Sequence, residues 1–266
     1  RGVVKEELRS RVFAQPYGKL FGFYLPMISY TRHPYARPGI GSIEDLDAAT
    51  IDDIRAFRQL GSRTPGHPES HVTTGVETTT GPLGQGVANS VGMAMGGRFL
   101  GERLNRPDLP LFDFNVYAIC SDGDLMEGVA SEAASIAGHL RLSNLCWIYD
   151  NNTITIEGHT ELAFSEEVAA RFLAYGWQVL RVADANDVHA ISASLETFLQ
   201  SSDRPTLIIV NSIIGYGAPT KQNTGGVHGS ALGEDEVADP PPTPAMRAAA
   251  SSIIGRVTGR ALMTIS

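Results

Sequence analysis

Four stretches of the chain are apolar almost without interruption: 114–121, 145–150, 177–182 and 206–213. Runs this short, rich in β-branched and aromatic residues and lacking polar alternation, fit strands buried on both faces, so they predict a parallel sheet with helices on each side. The segments between them supply the helices. Residues 127–141, 166–175 and 186–200 each have the length of a crossover helix, and from residue 114 onward the order reads βαβαβαβ. A further helix is expected at 85–104, ahead of the first strand. It carries Ala88, Gly92, Ala94, Gly96 and Gly97, small residues that let a neighbouring element come close. Each interior Gly disfavours the helix by about 1 kcal/mol relative to Ala, so packing has to compensate. The predicted fold class is α/β, a doubly wound, mostly parallel sheet with helices on both faces.

The two ends follow other patterns. Residues 1–49 hold clustered aromatics and Pro16, Pro26, Pro34 and Pro38 without a clear period. Asp239-Pro240-Pro241-Pro242-Thr243-Pro244 reads as a stiff linker. Beyond it, residues 245–266 are expected to form one packing or oligomer helix, with Ile253, Ile254, Val257 and Met263 on one face and Arg247, Arg256 and Arg260 on the other. The division expected is therefore an N-terminal segment (1–49), an α/β domain (50–237), and a linker with a C-terminal helix or tail (238–266).

Composition narrows the class of partner. An apolar content of 42% over 266 residues is that of an ordinary globule with a sizeable core. The formal charge of −8 is spread along the chain with no long basic run, which argues against nucleic acid as a partner. No apolar run reaches the roughly 18 to 20 residues that span a bilayer, and the charged first ten residues are not followed by a signal-peptide pattern. The expectation is a cytoplasmic protein with no membrane partner. Cys120 and Cys146 both sit inside apolar runs and are expected to be buried, reduced thiols without chemistry.

The chemistry-bearing residues cluster where strands end. Ser121-Asp122-Gly123-Asp124 closes the first run, and Asn151-Asn152 closes the next, thirty residues later. In an open parallel sheet, ligands bind outside the carboxyl ends of the strands, so the two loops can lie side by side. The Asp122 carboxylate and the Asn152 amide oxygen are hard ligands suited to Mg2+, an ion usually shared with phosphates. Gly123 leaves room for a phosphate, and the helix expected near Glu127 would turn free N–H groups toward it. Taken alone, the pair is equally compatible with an ordinary Asp-Gly turn and an Asn-rich loop start.

Further motifs separate those readings. Phe57-Arg58-Gln59-Leu60-Gly61-Ser62-Arg63-Thr64-Pro65-Gly66-His67-Pro68-Glu69 is followed by Gly75-Val76-Glu77-Thr78-Thr79-Thr80-Gly81-Pro82-Leu83-Gly84-Gln85-Gly86. Then come Gly138-His139-Leu140, Asp150-Asn151-Asn152-Thr153-Ile154-Thr155-Ile156, Ile214-Gly215-Tyr216-Gly217 and Val227-His228-Gly229. In this order the motifs resemble the transketolase family, over residues 52–237, about two thirds of the chain.

The resemblance implies the diphosphate-binding domain of the thiamine-diphosphate-binding fold, with thiamine diphosphate and Mg2+ as cofactors and Ca2+ as a substitute metal. Asp122, Asn152 and the backbone carbonyl of Ile154 would bind the metal. Gly123, Asn152 and His228 would lie near the diphosphate, Gly81 and Leu83 at the aminopyrimidine, and Ile156 against the cofactor. His67 would contact the sugar substrate, His228 would neutralise developing charge, and Glu127 and Glu132 would lie at a dimer interface that links two active sites. From the residues alone, Glu127 is equally suited to favouring its own helix N-terminus. The implied activity is transfer of a two-carbon ketol unit from a ketose, a ketose phosphate or hydroxypyruvate to an aldose or aldehyde.

The departures from the family pattern bear on completeness. Ser121 stands where the cofactor signature usually opens with Gly, residues 1–49 hold no counterpart of the family's Gly-His motifs, and the resemblance ends at Val237. Such breaks suit a gene fragment, a frameshift or a remodelled short form. With no pyrimidine-binding domain recognisable in the sequence, the expected arrangement is a homodimer or a pairing with a separate pyrimidine-domain subunit. The alternatives are an inactive cofactor-binding or regulatory module, and a thiamine-dependent dehydrogenase or decarboxylase component.

Overall fold

The computed structural model describes residues 76–230 continuously, isolated positions at 56, 59, 69, 70, 232 and 236, and the strand at 261–265. Its centre is a six-stranded sheet whose registered pairs are all parallel. In chain order the elements are β1 (Thr78–Thr79), α1 (Gln85–Leu104), β2 (Asn115–Ser121), α2 (Asp122–Met126), α3 (Gly128–His139), β3 (Leu145–Asn151), the hairpin β4 (Ile154–Thr155) and β5 (Gly158–His159), α4 (Val168–Ala174), β6 (Gln178–Val182), α5 (Val188–Gln200), β7 (Thr206–Asn211) and β8 (Ala261–Ile265). The strand order across the sheet is β1-β8-β2-β3-β7-β6. The α/β class and the alternation expected from residue 114 onward are both present.

Both faces of the sheet are apolar at its centre because β2, β3 and β7 bury side chains of both sets. On one face Val116, Ala118, Leu145, Trp147, Leu207 and Ile209 pack with α1, α3 and α4. On the other, Tyr117, Cys146, Ile208 and Val182 pack with Ile191, Leu195 and Phe198 of α5. Cys120 and Cys146 belong one to each face, and burial pushes both thiols well above their ordinary titration range. They are inert packing groups, as expected.

The first face is centred on three rings. Trp147 meets Trp177 at 4.8 Å and Phe172 at 5.7 Å between centroids, and Phe172 meets Trp177 edge-on at 5.1 Å. Both indoles donate to a buried acceptor: Trp147 Nε1 to Ser90 Oγ at 2.9 Å, and Trp177 Nε1 to the Ala134 carbonyl at 2.8 Å. A buried indole N–H left without a partner would carry a desolvation penalty, so these bonds orient the rings as well as satisfying them.

Gly138 explains why α3 can lie so close to the end of α4. A Cβ at this position would stand 1.8 Å from the Tyr175 carbonyl oxygen, so only hydrogen fits. On α1 the small residues divide. Ala94 and Gly97 are buried, with the Phe114 ring 2.8 Å from where a Gly97 Cβ would be, whereas a Cβ at Gly92 or Gly96 would meet nothing within 4 Å among the described residues.

Two expectations change. The segment 121–124 is not an open loop: Asp122 begins the short helix α2, and the helix expected from Glu127 starts at Gly128 with Glu127 at its N-cap. Asp124 causes this, because its carboxylate accepts the Ser121 N–H at 2.8 Å and the Ser121 hydroxyl at 3.2 Å, closing a helical turn at once after the strand. The C-terminal helix expected over 245–266 does not extend over Ala261–Ile265, which is strand β8 between β1 and β2, paired Ala261 with Asn115 and Thr264 with Thr78. The free N–H and C=O groups along β2 make a template that a short β-capable run satisfies. Residues 1–49 and the Pro-rich run at 239–244 lie outside the described residues.

Gly138→Ala should lower the unfolding free energy by about 3 kcal/mol or more through overpacking against backbone, and Trp147→Ala by about 3–5 kcal/mol through cavity formation. Urea unfolding followed by circular dichroism measures both.

Candidate functional site

A parallel sheet gathers the carboxyl ends of its strands along one edge. The register pairs Ser121 with Asp150 and Asn151 with Asn211, so the chain leaves β2, β3 and β7 at neighbouring positions. Asp122 leaves β2 as the first residue of α2 and is only 2% exposed. Its Oδ1 accepts the Tyr149 hydroxyl at 2.6 Å and its Oδ2 accepts the Thr153 N–H at 3.0 Å, with the Asn152 N–H also bonded to the carboxylate. The two loops expected to be neighbours are thus joined through this side chain. Burial nevertheless prevails and raises the Asp122 carboxyl above its ordinary range, the donors offsetting only part of the shift.

Asn152 is buried and held from both sides. Its amide donates to Asp150 Oδ2 at 3.0 Å, and its Oδ1 accepts the Ile154 N–H at 2.9 Å. Asp150 also receives the Ser212 hydroxyl from the end of β7. Thr153 lies between these residues with φ of 60°, a left-handed backbone for a β-branched residue. Single residues enter this region at roughly 1–2 kcal/mol, and here the Asp122 carboxylate holds the turn in place.

A third loop joins through Asp124. This carboxylate, fully buried, accepts the Gly84 N–H at 2.9 Å from forty residues upstream, besides its bonds to Ser121. Gly84 ends the Gly81-Pro82-Leu83 loop and starts α1 with φ of 74°, a conformation that suits glycine. Leu83 consequently lies over Gly123, with its Cδ1 only 3.2 Å from where a Gly123 Cβ would be. A fourth loop comes from the far side of β7. Gly225 packs so closely on the β4–β5 turn that a Cβ there would stand 2.9 Å from the Ile156 carbonyl oxygen. His228 follows in the same turn, its N–H donating to the Gly225 carbonyl at 3.0 Å, with its side chain exposed. Buried Glu236 steadies the preceding segment by accepting the N–H groups of Thr220 and Lys221 at 3.0 and 3.2 Å.

Of the residues singled out from the sequence, Asp122, Asn152 and Ile154 come together along one loop pair, Gly123 with Leu83, and Ile156 with the turn that bears His228. Gly81 is exposed in the Leu83 loop. Glu127 is exposed at the N-cap of α3 without a side-chain cap bond, its stem packed against Gly84. Glu132 is exposed on α3. His67 lies outside the described residues.

The donor set suits one hard cation more than a self-sufficient metal cage. Asp122 offers a carboxylate whose desolvation a divalent ion would offset, and the Asn152 Oδ1 keeps a second lone pair. Among the described residues no three His, Cys, Asp or Glu side chains gather as a metal site. An ion held here would complete its shell with amide, carbonyl and ligand oxygens, the habit of Mg2+ shared with a diphosphate.

Comparison with known proteins identifies the family. The family model of the transketolase thiamine diphosphate binding domain matches residues 43–246. The chain belongs to this family. Transketolase of Geobacillus stearothermophilus is 57% identical over 187 residues, 70% of this chain and 28% of that protein. Transketolase of a Nostoc strain is 53% identical over 193 residues, 72% of this chain and 29% of that protein. Among solved structures, transketolase from Leishmania mexicana superposes with a TM-score of 0.66 at 41% identity, covering 79% of this chain and 33% of that one. A Pichia stipitis transketolase in complex with sedoheptulose 7-phosphate gives 0.66 at 42% identity, over 79% and 32% of the two chains. The matched part of the chain thus covers about a third or less of the length of these transketolases.

Sequence reasoning passed over the two side chains that make this transketolase-family site rigid, Tyr149 and Asp124. Tyr149 sits in a strand pattern that reads only as core, and Asp124 reads as part of a turn. The signal available was the combination Ser121-x-x-Asp124, a helix-capping pair in its usual order following directly on a strand.

Asp124→Ala should lower stability by roughly 3 kcal/mol, since it strands buried N–H donors that met a charged acceptor. Amide exchange at Gly84 should accelerate more than exchange in β7; equal acceleration at both would mean that Asp124 does not tie this loop.

Proposed function

We propose that this chain supplies the diphosphate- and metal-binding half of a transketolase active site, serving transfer of a two-carbon ketol unit from a ketose phosphate or hydroxypyruvate to an aldose or aldehyde. The observation that carries this reading is the Asp122 carboxylate, buried at the sheet edge and bonded to the Thr153 N–H of the adjacent loop. Membership of the family and a relative in complex with a sugar phosphate support the choice of reaction and substrate class.

In this reading Asp122, the Asn152 amide oxygen and the Ile154 carbonyl hold Mg2+, with Ca2+ as a substitute, and through the ion the diphosphate. Gly123 leaves the approach clear, and His228 adds a polar contact from the turn beside Ile156. Leu83 and Ile156, 49% and 71% exposed, offer apolar surface to the cofactor rings, with Gly81 at the aminopyrimidine. Bound there, thiamine diphosphate supplies the carbon nucleophile and the electron sink of the reaction. His67 orients the donor sugar. Glu127 and Glu132, both exposed, face a second subunit, either another copy of this chain or a pyrimidine-domain partner, which completes the site. The two unpaired thiols suit a cytoplasmic setting.

Isothermal titration of thiamine diphosphate should show binding that requires Mg2+, and Asp122→Ala should weaken it by on the order of 100-fold, at the upper end of what loss of a ligand-orienting group produces. Heat release indifferent to both Mg2+ and this substitution would overturn the reading. Binding without ketol transfer, even with a pyrimidine-domain partner present, would leave a cofactor-binding module.

The pH dependence follows from the raised Asp122 carboxyl. The metal-free protein loses stability from this group as pH rises from the unfolded carboxyl value through the higher folded one, because burying the charge is unfavourable. Mg2+ needs the ionised form, so its affinity should be flat at high pH and fall about tenfold per pH unit below the folded value, starting at a higher pH than an ordinary aspartate would impose. Thermal shift measured across pH with and without Mg2+ tests both arms.

A further inference from the structure

The helix that carries Asp122 is too short to stand alone. α2 has five residues, fewer than a helix needs to repay its nucleation in water, and it ends without an intrahelical donor for the carbonyl of Leu125, a residue with no exposed surface. That carbonyl is met from another element. Arg171 of α4, forty-six residues further along, donates from Nη2 to the Leu125 carbonyl at 2.8 Å. Its Nη1 donates to Glu166 Oε2 at 2.5 Å, and its guanidinium carbon lies 5.8 Å from the Phe164 ring centre and 5.6 Å from that of Phe172. The side chain is 16% exposed, and its buried Nε has no hydrogen-bond partner among the described residues. Leaving one guanidinium N–H unsatisfied is unfavourable, and the geometry accepts it while keeping the contact to α2 short.

Phe164 and Glu166, which hold Arg171 from outside, line the same cleft as Asp122, Tyr149 and Thr153. The cation at the carboxyl end of α2 also complements the partial negative charge of that end. We infer that Arg171 is a positioning residue for the metal loop: it fixes the far end of α2, so that Asp122 at the near end presents its carboxylate to the ion in one orientation. This rests on the metal-binding role proposed for Asp122. Arg171 touches none of the ligands and acts only through the backbone of Leu125.

Lysine reproduces the charge but has no planar fork able to reach the Leu125 carbonyl and Glu166 together. The test uses the wild type, Arg171→Lys and Arg171→Met, each at a temperature where circular dichroism shows it fully folded. Mg2+ is titrated calorimetrically at one fixed excess of thiamine diphosphate, with the heat of Mg2+ added to the cofactor alone subtracted, and amide exchange is followed in α2 and, as a reference, in α5. Expected is a rise in the Mg2+ dissociation constant of about tenfold for Met, a smaller rise for Lys, and faster exchange in α2 than in α5 for both. A lower melting temperature with unchanged Mg2+ affinity and even exchange would overturn the inference, leaving Arg171 a packing residue and the proposed function intact. Absence of Mg2+ binding to the wild type would overturn both.

Discussion

An ionised carboxylate shut away from water has to be surrounded by donors, and satisfying Asp122 organises the whole carboxyl edge of the sheet. Its partners are a hydroxyl from the middle of β3 and backbone N–H groups from the turn after β3. Neither can be supplied unless β2 and β3 run parallel in the observed register. The fold and the site are therefore one constraint: pairing the strands places the donors, and the donors make it tolerable to bury the charge. What they leave unoffset is the electrostatic opening for a cation.

The remaining contacts extend that frame outward. Asp124 brings in the Leu83 loop, Asp150 and Ser212 tie the end of β3 to the end of β7, and Gly225 seats the His228 turn on the β4–β5 hairpin. Each is a single polar bond or close backbone contact between segments distant in sequence. The loops at this edge are thereby tied to one another and to the strand ends, which fixes their geometry from several elements at once.

Much of this was legible beforehand. Strands buried on both faces leave near-continuous apolar runs, so β2, β3, β6 and β7 could be read within a few residues, and Asp122 and Asn152 stood out because polar residues punctuated those runs. The roles of Tyr149 and Asp124 were hidden because their partners lie in other elements, and only the register brings them together. The C-terminal strand was hidden for a related reason: apolar spacing at 253–263 suggests a helix, while the conformation of 261–265 is set by the open edge of β2. The glycine of the Gly138-His139-Leu140 motif lets α3 pack against the Tyr175 backbone, a close approach that the motif alone does not reveal.

The left-handed backbone at Thr153 has a consequence for how this loop can vary. Glycine or asparagine would adopt the same angles with less strain, so the threonine is not the residue that local comfort selects. A glycine would relax the turn and also let it sample other shapes, dispersing the N–H groups that now converge on one carboxylate. Convergence of these donors is thus bought with local strain, and a version evolved or engineered for heat resistance at this position would gain robustness by loosening its hold on the Asp122 carboxylate.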